Sequence, residues 1–167
     1  MLLYNKALDP YHTLLRIISI IIFGHIKEIE SERLRIFDFI TANPSHIEKM
    51  TLGQSLVIER NAFGKYRSAY NNFDPQILFE SMKPIQQAAV SCLIEMSVLS
   101  KLENTTRLHV NYSMIPTELT AIVGDSHNSI PKDVISFIKE HLISLELLGA
   151  KGLKKASKLM EYKYDVV

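Results

Sequence analysis

The sequence predicts a mainly α-helical domain with one small β-hairpin, α+β in class and winged-helix-like in the order of its elements. Three observations carry this prediction. Apolar residues recur at helical spacing through several stretches and alternate only around residues 108–112. The pairs Asp9-Pro10 and Asp74-Pro75, with Gly24 and Gly149, punctuate those stretches as helix starts and stops. The chain has 167 residues, 47% of them hydrophobic and 22% charged, which is the composition of a soluble globular domain able to bury a core.

Asp9 can cap, and Pro10 can open, a first helix expected to run to about Phe23 and stop at Gly24. Leu14, Leu15, Ile17, Ile18, Ile20, Ile21, Ile22 and Phe23 cover nearly its whole circumference. His12, Arg16 and Ser19 remain as one narrow polar stripe, at spacings of four and three. Such a helix either is central to the core or packs against a partner on a second side, and the stripe is a candidate partner-binding face. Ser31 is expected to cap a second helix from Glu32 to about Thr41, with Leu34, Phe37 and Ile40 inward and Arg35 and Asp38 outward. Asn43-Pro44 ends it. Residues 51–72 read as irregular, with one short helix.

Asp74-Pro75 starts a short helix to about Met82, and Pro84 begins another. On the latter, Ile85, Ala88, Ala89, Cys92, Met96 and Leu99 form the apolar face, with Gln87, Ser91 and Glu95 opposite. Leu108, Val110 and Tyr112 then alternate with Arg107, His109 and Asn111, the pattern of a half-buried strand. The polar group Glu103–Thr106 turns back from a short strand near Leu102. Short helix, longer helix and hairpin follow one another as in a winged helix-turn-helix. A short helix follows Pro116 and stops at Gly124. The last long helix is expected from Pro131 to Leu148, with Val134, Ile138, Leu142, Leu145 and Leu148 as its stripe and Gly149 closing it. The domain is therefore placed at residues 1–149 and a basic C-terminal tail at 150–167. Residues 151–167 carry a net charge of +3 and the remainder −2.

Composition excludes several function classes. A net charge of +1 gives the whole molecule no strong pull toward nucleic acid or membrane. One cysteine, Cys92, excludes a disulfide framework and a cysteine-based zinc site, and fits a reducing interior. The start Met1-Leu-Leu-Tyr-Asn-Lys6 has none of the features of a signal peptide, and the uncharged run Ile17–Ile26 is too short to span a bilayer. The chain is expected to be cytoplasmic, with no membrane partner.

Nothing matches a P-loop, a dinucleotide fingerprint, a zinc helix or an EF-hand. Asp125, Ser126 and His127 resemble a catalytic trio by type, but neighbours in one loop cannot converge as a triad does, so they read as a polar turn. Glu161-Tyr-Lys163 fits the end of a nuclease metal site, yet no Asp on a preceding strand completes it. Cys92 reads as an inert core thiol and His141 as a satisfied core histidine. No catalytic, cofactor-binding or metal-binding residue is expected. Lys151, Lys154, Lys155 and Lys158 stand at i, i+3, i+4 and i+7, one face of a helix that could dock DNA phosphates or an acidic partner surface. The helix from Pro84, which would be the recognition helix, offers Gln86, Gln87, Ser91 and Glu95 and no Arg or Lys. A major-groove reader needs basic residues, so the fold points to protein contact rather than DNA reading.

The segments Tyr4-Asn-Lys-Ala-Leu-Asp-Pro-Tyr-His12 with Arg16, Glu32-Arg-Leu-Arg-Ile-Phe-Asp-Phe39, Leu78-Phe79 with Met82-Lys-Pro-Ile-Gln86, and Gly152-Leu-Lys-Lys155 with Tyr164-Asp165 form an ordered set. In that order they resemble the middle components of bacterial ABC three-component systems, over nearly the whole chain. The Lamassu anti-phage and anti-plasmid systems are one branch. The resemblance implies a small non-enzymatic interaction subunit. Its partners would be an SMC-like coiled-coil ATPase and an effector subunit, often a nuclease, and it would help hold the effector inactive until foreign DNA is sensed. It implies no catalytic residue and no cofactor. The basic tail would reach DNA through the complex, or an acidic patch of the ATPase. The alternative is a winged-helix DNA-binding transcriptional regulator, which would bind short duplex DNA by itself.

Overall fold

A computed structural model describes residues 5–69, 73–125 and 130–160. The fold is built around α1 (Pro10–Gly24). Asp9 Oδ1 accepts the His12 backbone N–H at 2.9 Å, and Pro10 occupies the first turn, where no helical N–H is needed. Gly24 is the last helical residue, and His25 takes the left-handed conformation that ends the helix, with φ of 53°. Leu15, Ile17, Ile18, Ile20 and Ile21 are buried because α1 is covered by α2 (Ser31–Ala42), α4 (Pro75–Glu95), α5 (Thr117–Gly124) and α6 (Lys132–Phe137). The all-round apolar helix is thus central to this chain's own core.

α2 does not start as the sequence suggested. Glu30 is its cap residue by backbone conformation, and Ser31 is already helical. The Ser31 hydroxyl instead donates to the carbonyl of Thr106 at 2.9 Å, fastening α2 to the hairpin. Leu34, Phe37 and Ile40 are buried as expected, and so are Ile36 and Phe39. Asp38, expected outside, is fully buried, because α2 is sandwiched between α1 and α4. Residues 44–49, 54–56 and 63–66 form 3-10 turns around one short helix, α3 (Val57–Ala62), the one short helix expected within 51–72, of which residues 70–72 lie outside the described residues.

α4 is a single helix of 21 residues that runs through Pro84. Proline removes one helical N–H, so the expected break had a sound basis. Here Pro84 and Glu80, whose carbonyl loses that donor, both lie on the exposed side, where water can replace it. The buried stripe is Leu78, Phe79, Met82, Gln86, Ala89 and Leu93. It is rotated from the predicted face, so Ala88 and Cys92 are exposed and Gln86 is inside. Cys92 is therefore not a core thiol.

The hairpin is β2 (Leu99–Lys101) with β3 (Arg107–Val110), whose Leu108 and Val110 point inward as the alternation predicted. A third strand, β1 (Glu28–Glu30), lies between α1 and α2 in sequence and pairs antiparallel with β3, placing Ile29 opposite Leu108. The sheet order is β1-β3-β2. β1 has only three residues and one apolar side chain, too short for any period to show.

The last long helix is shorter than expected. α6 passes into a π-helical turn at Ile138–Leu142, and the chain then turns, leaving Leu148 exposed. Gly149, with φ of 92°, belongs to the following turn. The boundary expected at 149/150 falls inside the packed body. Leu153, Ala156 and Leu159 join the hydrophobic core, and α7 (Leu153–Ser157) packs on α2. The lysine spacing masked this apolar i, i+3, i+6 pattern. Residues 126–129 and 161–167, which contain Ser126, His127 and the Glu161-Tyr-Lys163 segment, lie outside the described residues.

Candidate interaction site

Four polar side chains from three helices meet between α1, α2 and α4. Arg16 Nε donates to Asp38 Oδ1 at 2.7 Å, and Arg16 Nη2 to Asp38 Oδ2 at 3.3 Å. The same guanidinium also donates to Thr13 Oγ1 at 2.8 Å and to the Lys6 carbonyl at 3.0 Å. Gln86 Nε2 donates to Asp38 Oδ2 at 2.9 Å and to the Arg35 carbonyl at 3.2 Å, and its Oε1 accepts from Arg35 Nε at 3.0 Å. The Arg35 guanidinium covers the Phe79 ring 4.3 Å from its centroid and reaches Glu80 at 3.6 Å. Burial holds its pKa below the usual arginine value, against the pull of Glu80.

Arg16, Asp38 and Gln86 are 5%, 0% and 1% exposed. A buried ion pair is tolerable only when its remaining donors and acceptors are also satisfied; those of Arg16 and Asp38 are, whereas Arg35 Nη2 makes no hydrogen bond. This network orients three helices. It also corrects the expected polar stripe on α1. Arg16 turns to Asp38, and Ser19 donates to the Leu15 carbonyl at 2.8 Å inside the core. Neither presents a contact surface, because both side chains are buried. His12 alone of the three is partly exposed.

Sequence reasoning missed Arg35, Asp38 and Gln86 as a unit. One signal was available: an aspartate standing inside Ile36-Phe37-Asp38-Phe39-Ile40 must find a buried partner.

A second charged assembly forms where α7 docks. Three consecutive carbonyls at the C-terminal end of α7, those of residues 156–158, each accept a donor from a different part of the chain. Thr51 N–H donates to Ala156 O at 2.9 Å. His46 Nε2 contacts Ser157 O at 2.7 Å, and a carbonyl can only accept, so the proton sits on Nε2. Gln76 Nε2 donates to Lys158 O at 3.2 Å. Burial pushes the His46 pKa down, outweighing the Ser157 bond, and Lys49 and Lys158 add to the effect. Gly152, just before α7, admits no side chain: a Cβ there would stand 2.2 Å from the Leu148 carbonyl oxygen.

The four C-terminal lysines do not share one helix face. Lys154 is buried and pairs with Glu32 at 2.9 Å. Lys151, Lys155 and Lys158 are exposed and line a cleft of about 270 Å³ together with Thr51, Gln76 and Met160. Phe73 and Ile77, flanking Gln76, are 54% and 69% exposed.

Elsewhere the charged groups hold elements together. Tyr66 donates to Asp133 Oδ1 at 2.7 Å, and its phenol is pushed up to about 12 by burial and by that carboxylate. His141 Nε2 lies 2.8 Å from Glu59 Oε2 and its ring packs on Phe137, so it is a partnered, half-buried histidine. Among the described residues, no group of three or more His, Cys, Asp or Glu is placed to hold a metal ion. Among the same residues, no helix is long and apolar enough to cross a membrane.

The family model described as ABC-three component (ABC-3C) system Middle Component 5 matches residues 2–165. No curated protein and no solved structure matches the chain.

Proposed function

The chain belongs to the Middle Component 5 family of ABC-three component systems, and from that premise we propose that it bridges the ATPase and effector components of such a system. In this reading the ATPase is an SMC-like coiled-coil protein and the effector is of nuclease type. The chain is a non-enzymatic, cytoplasmic interaction subunit that helps keep the effector inactive until foreign DNA is sensed, as in Lamassu-type defence. The family match over 2–165 carries the reading, since it covers nearly the whole chain. The geometry supports it. Arg16, Arg35, Asp38 and Gln86, all within the segments that resemble the family, orient helices rather than line a reaction pocket.

The test is purification of this chain, tagged, from its native operon, with native mass determination of the eluate. Co-elution of a large ATPase and a third chain is expected. Elution as a lone monomer or homodimer would overturn the bridging role. The regulator alternative keeps one supporting observation, the hairpin that follows α4. Against it stands the composition of α4, in which Lys83 is the single cation. Binding of a short duplex by the isolated chain at moderate salt would favour it.

A further inference from the structure

We propose that the groove between α6 and the end of α1 is the docking site for a short acidic segment of a partner protein, which inserts one large apolar side chain. The inference rests on the bridging reading above and names the chemistry of one of its contacts. The juxtaposition that carries it is two lysines, Lys132 and Lys139, lining one groove with Phe23 and Ile135. The lysines are exposed, Ile135 is buried and Phe23 is half-buried, so the charges stand at the mouth and the apolar groups beneath them.

The apolar half comes from α1. That helix is apolar around nearly its whole circumference, and its middle is enclosed by this chain's own helices. Its last turn is less completely covered: Ile22 and Phe23 are half-buried, and Phe23 faces the groove. The charged half comes from α6 and the π-helical turn after it. Lys132, Ser136 and Lys139 follow one another there at i, i+4 and i+7, which places all three on the side that lines the groove. Neither lysine has an ion-pair partner among the described residues. The carboxylate of Asp133, next to Lys132, is engaged elsewhere, with Lys65 at 2.7 Å and the Tyr66 hydroxyl at 2.7 Å. Glu140, the single anion among the described lining residues, lies 3.8 Å from His141 Nε2. Two cations therefore stand against one anion that has a neighbour of its own.

Charge complementarity selects an anionic occupant. The groove holds about 330 Å³, at the lower end of the range for ligand pockets, so it admits one large side chain rather than a packed helix face. A nucleic-acid backbone would leave Phe23 and Ile135 without an apolar partner. The described lining residues also offer lysine point charges and no arginine fork for a phosphate. A peptide with Asp or Glu beside a Leu, Met or aromatic residue satisfies both halves at once. Its apolar side chain anchors in the pocket, while its carboxylates meet the lysines and set register and on-rate.

The experiment uses the full chain co-purified with its operon partners. A photo-crosslinking amino acid replaces Ser136, which is exposed and lines the groove, and adducts are mapped by mass spectrometry. The expected adduct lies on a partner stretch that carries Asp or Glu beside a large apolar residue. The double variant Lys132→Glu, Lys139→Glu is expected to reduce co-elution of that partner by at least roughly tenfold, with its unfolding midpoint unchanged. Charge reversal in the mapped stretch is expected to restore co-elution. An adduct on nucleic acid, on a second copy of this chain or on a neutral or basic stretch would overturn the proposal. So would assembly without any adduct, or wild-type co-elution of the double variant. Failure of the wild-type chain to assemble at all would instead overturn the bridging reading on which the proposal rests.

Discussion

Asp38 is the residue on which the most depends. Its carboxylate accepts from Arg16 and from Gln86, and it is fully buried. Asp38→Asn keeps the shape but strands the Arg16 charge in the core, so it is expected to cost about 3–5 kcal/mol. Replacing Arg16 and Asp38 together by Met and Leu is expected to cost less than the single change, because no charge is left behind. Urea unfolding of both variants checks this, and a double variant weaker than Asp38→Asn would refute it. His46 gives a second, independent signature. Its pKa is lowered in the folded chain, chiefly by burial, from an ordinary value of 6.5. As pH falls below 6.5, the unfolded chain binds a proton that the native state refuses. Stability is therefore expected to decline from just below that value, before carboxylates titrate. His46→Gln is expected to flatten the slope over this window, and chemical unfolding at a series of pH values reads it directly. At this scale the sequence was hardest to read. A stripe of His12, Arg16 and Ser19 looks the same whether it faces water or a buried aspartate, and only the Asp38 position, apolar on both sides, hinted at the second case.

Element boundaries were legible where a cap or a long apolar period marked them. Asp9-Pro10 opened α1, the alternation around Leu108 and Val110 marked β3, and the irregular stretch held one short helix, α3. They were misread where one local rule was outweighed by packing. Pro84 did not break α4, because Leu78, Phe79, Met82 and Gln86 are all drawn to the same neighbours. Helix periodicity from Val134 did not persist to Leu148, since the π-helical turn at Ile138–Leu142 shifts the register. α7 was concealed by its charges. Its place depends on Gly152, where any Cβ meets the Leu148 carbonyl. Gly152→Ala is expected to destabilise the chain by about 2–3 kcal/mol and to expose Leu153 and Leu159, because the obstructing atom is backbone and cannot swing aside. Thermal unfolding of the variant tests this, and an unchanged midpoint would show that the turn before α7 gives way freely.

For the whole molecule, the fold class followed from composition and period, whereas the domain limit did not. The core extends to Leu159, so no separable tail begins at residue 150. The family resemblance came from ordered segments along the chain, and three of them meet in the structure: Arg16, Asp38 and Gln86 sit on three helices but share one network. The anchoring of α7 has a consequence for how the chain is made. The His46–Ser157 and Gln76–Lys158 bonds join residues 111 and 82 positions apart. During synthesis α1 emerges long before α5 and α6, which complete its surroundings, and before α7, which closes over α2. Loop closure of that length is slow compared with local helix formation. The nascent chain must pass through a stage in which its central helix is made but not enclosed.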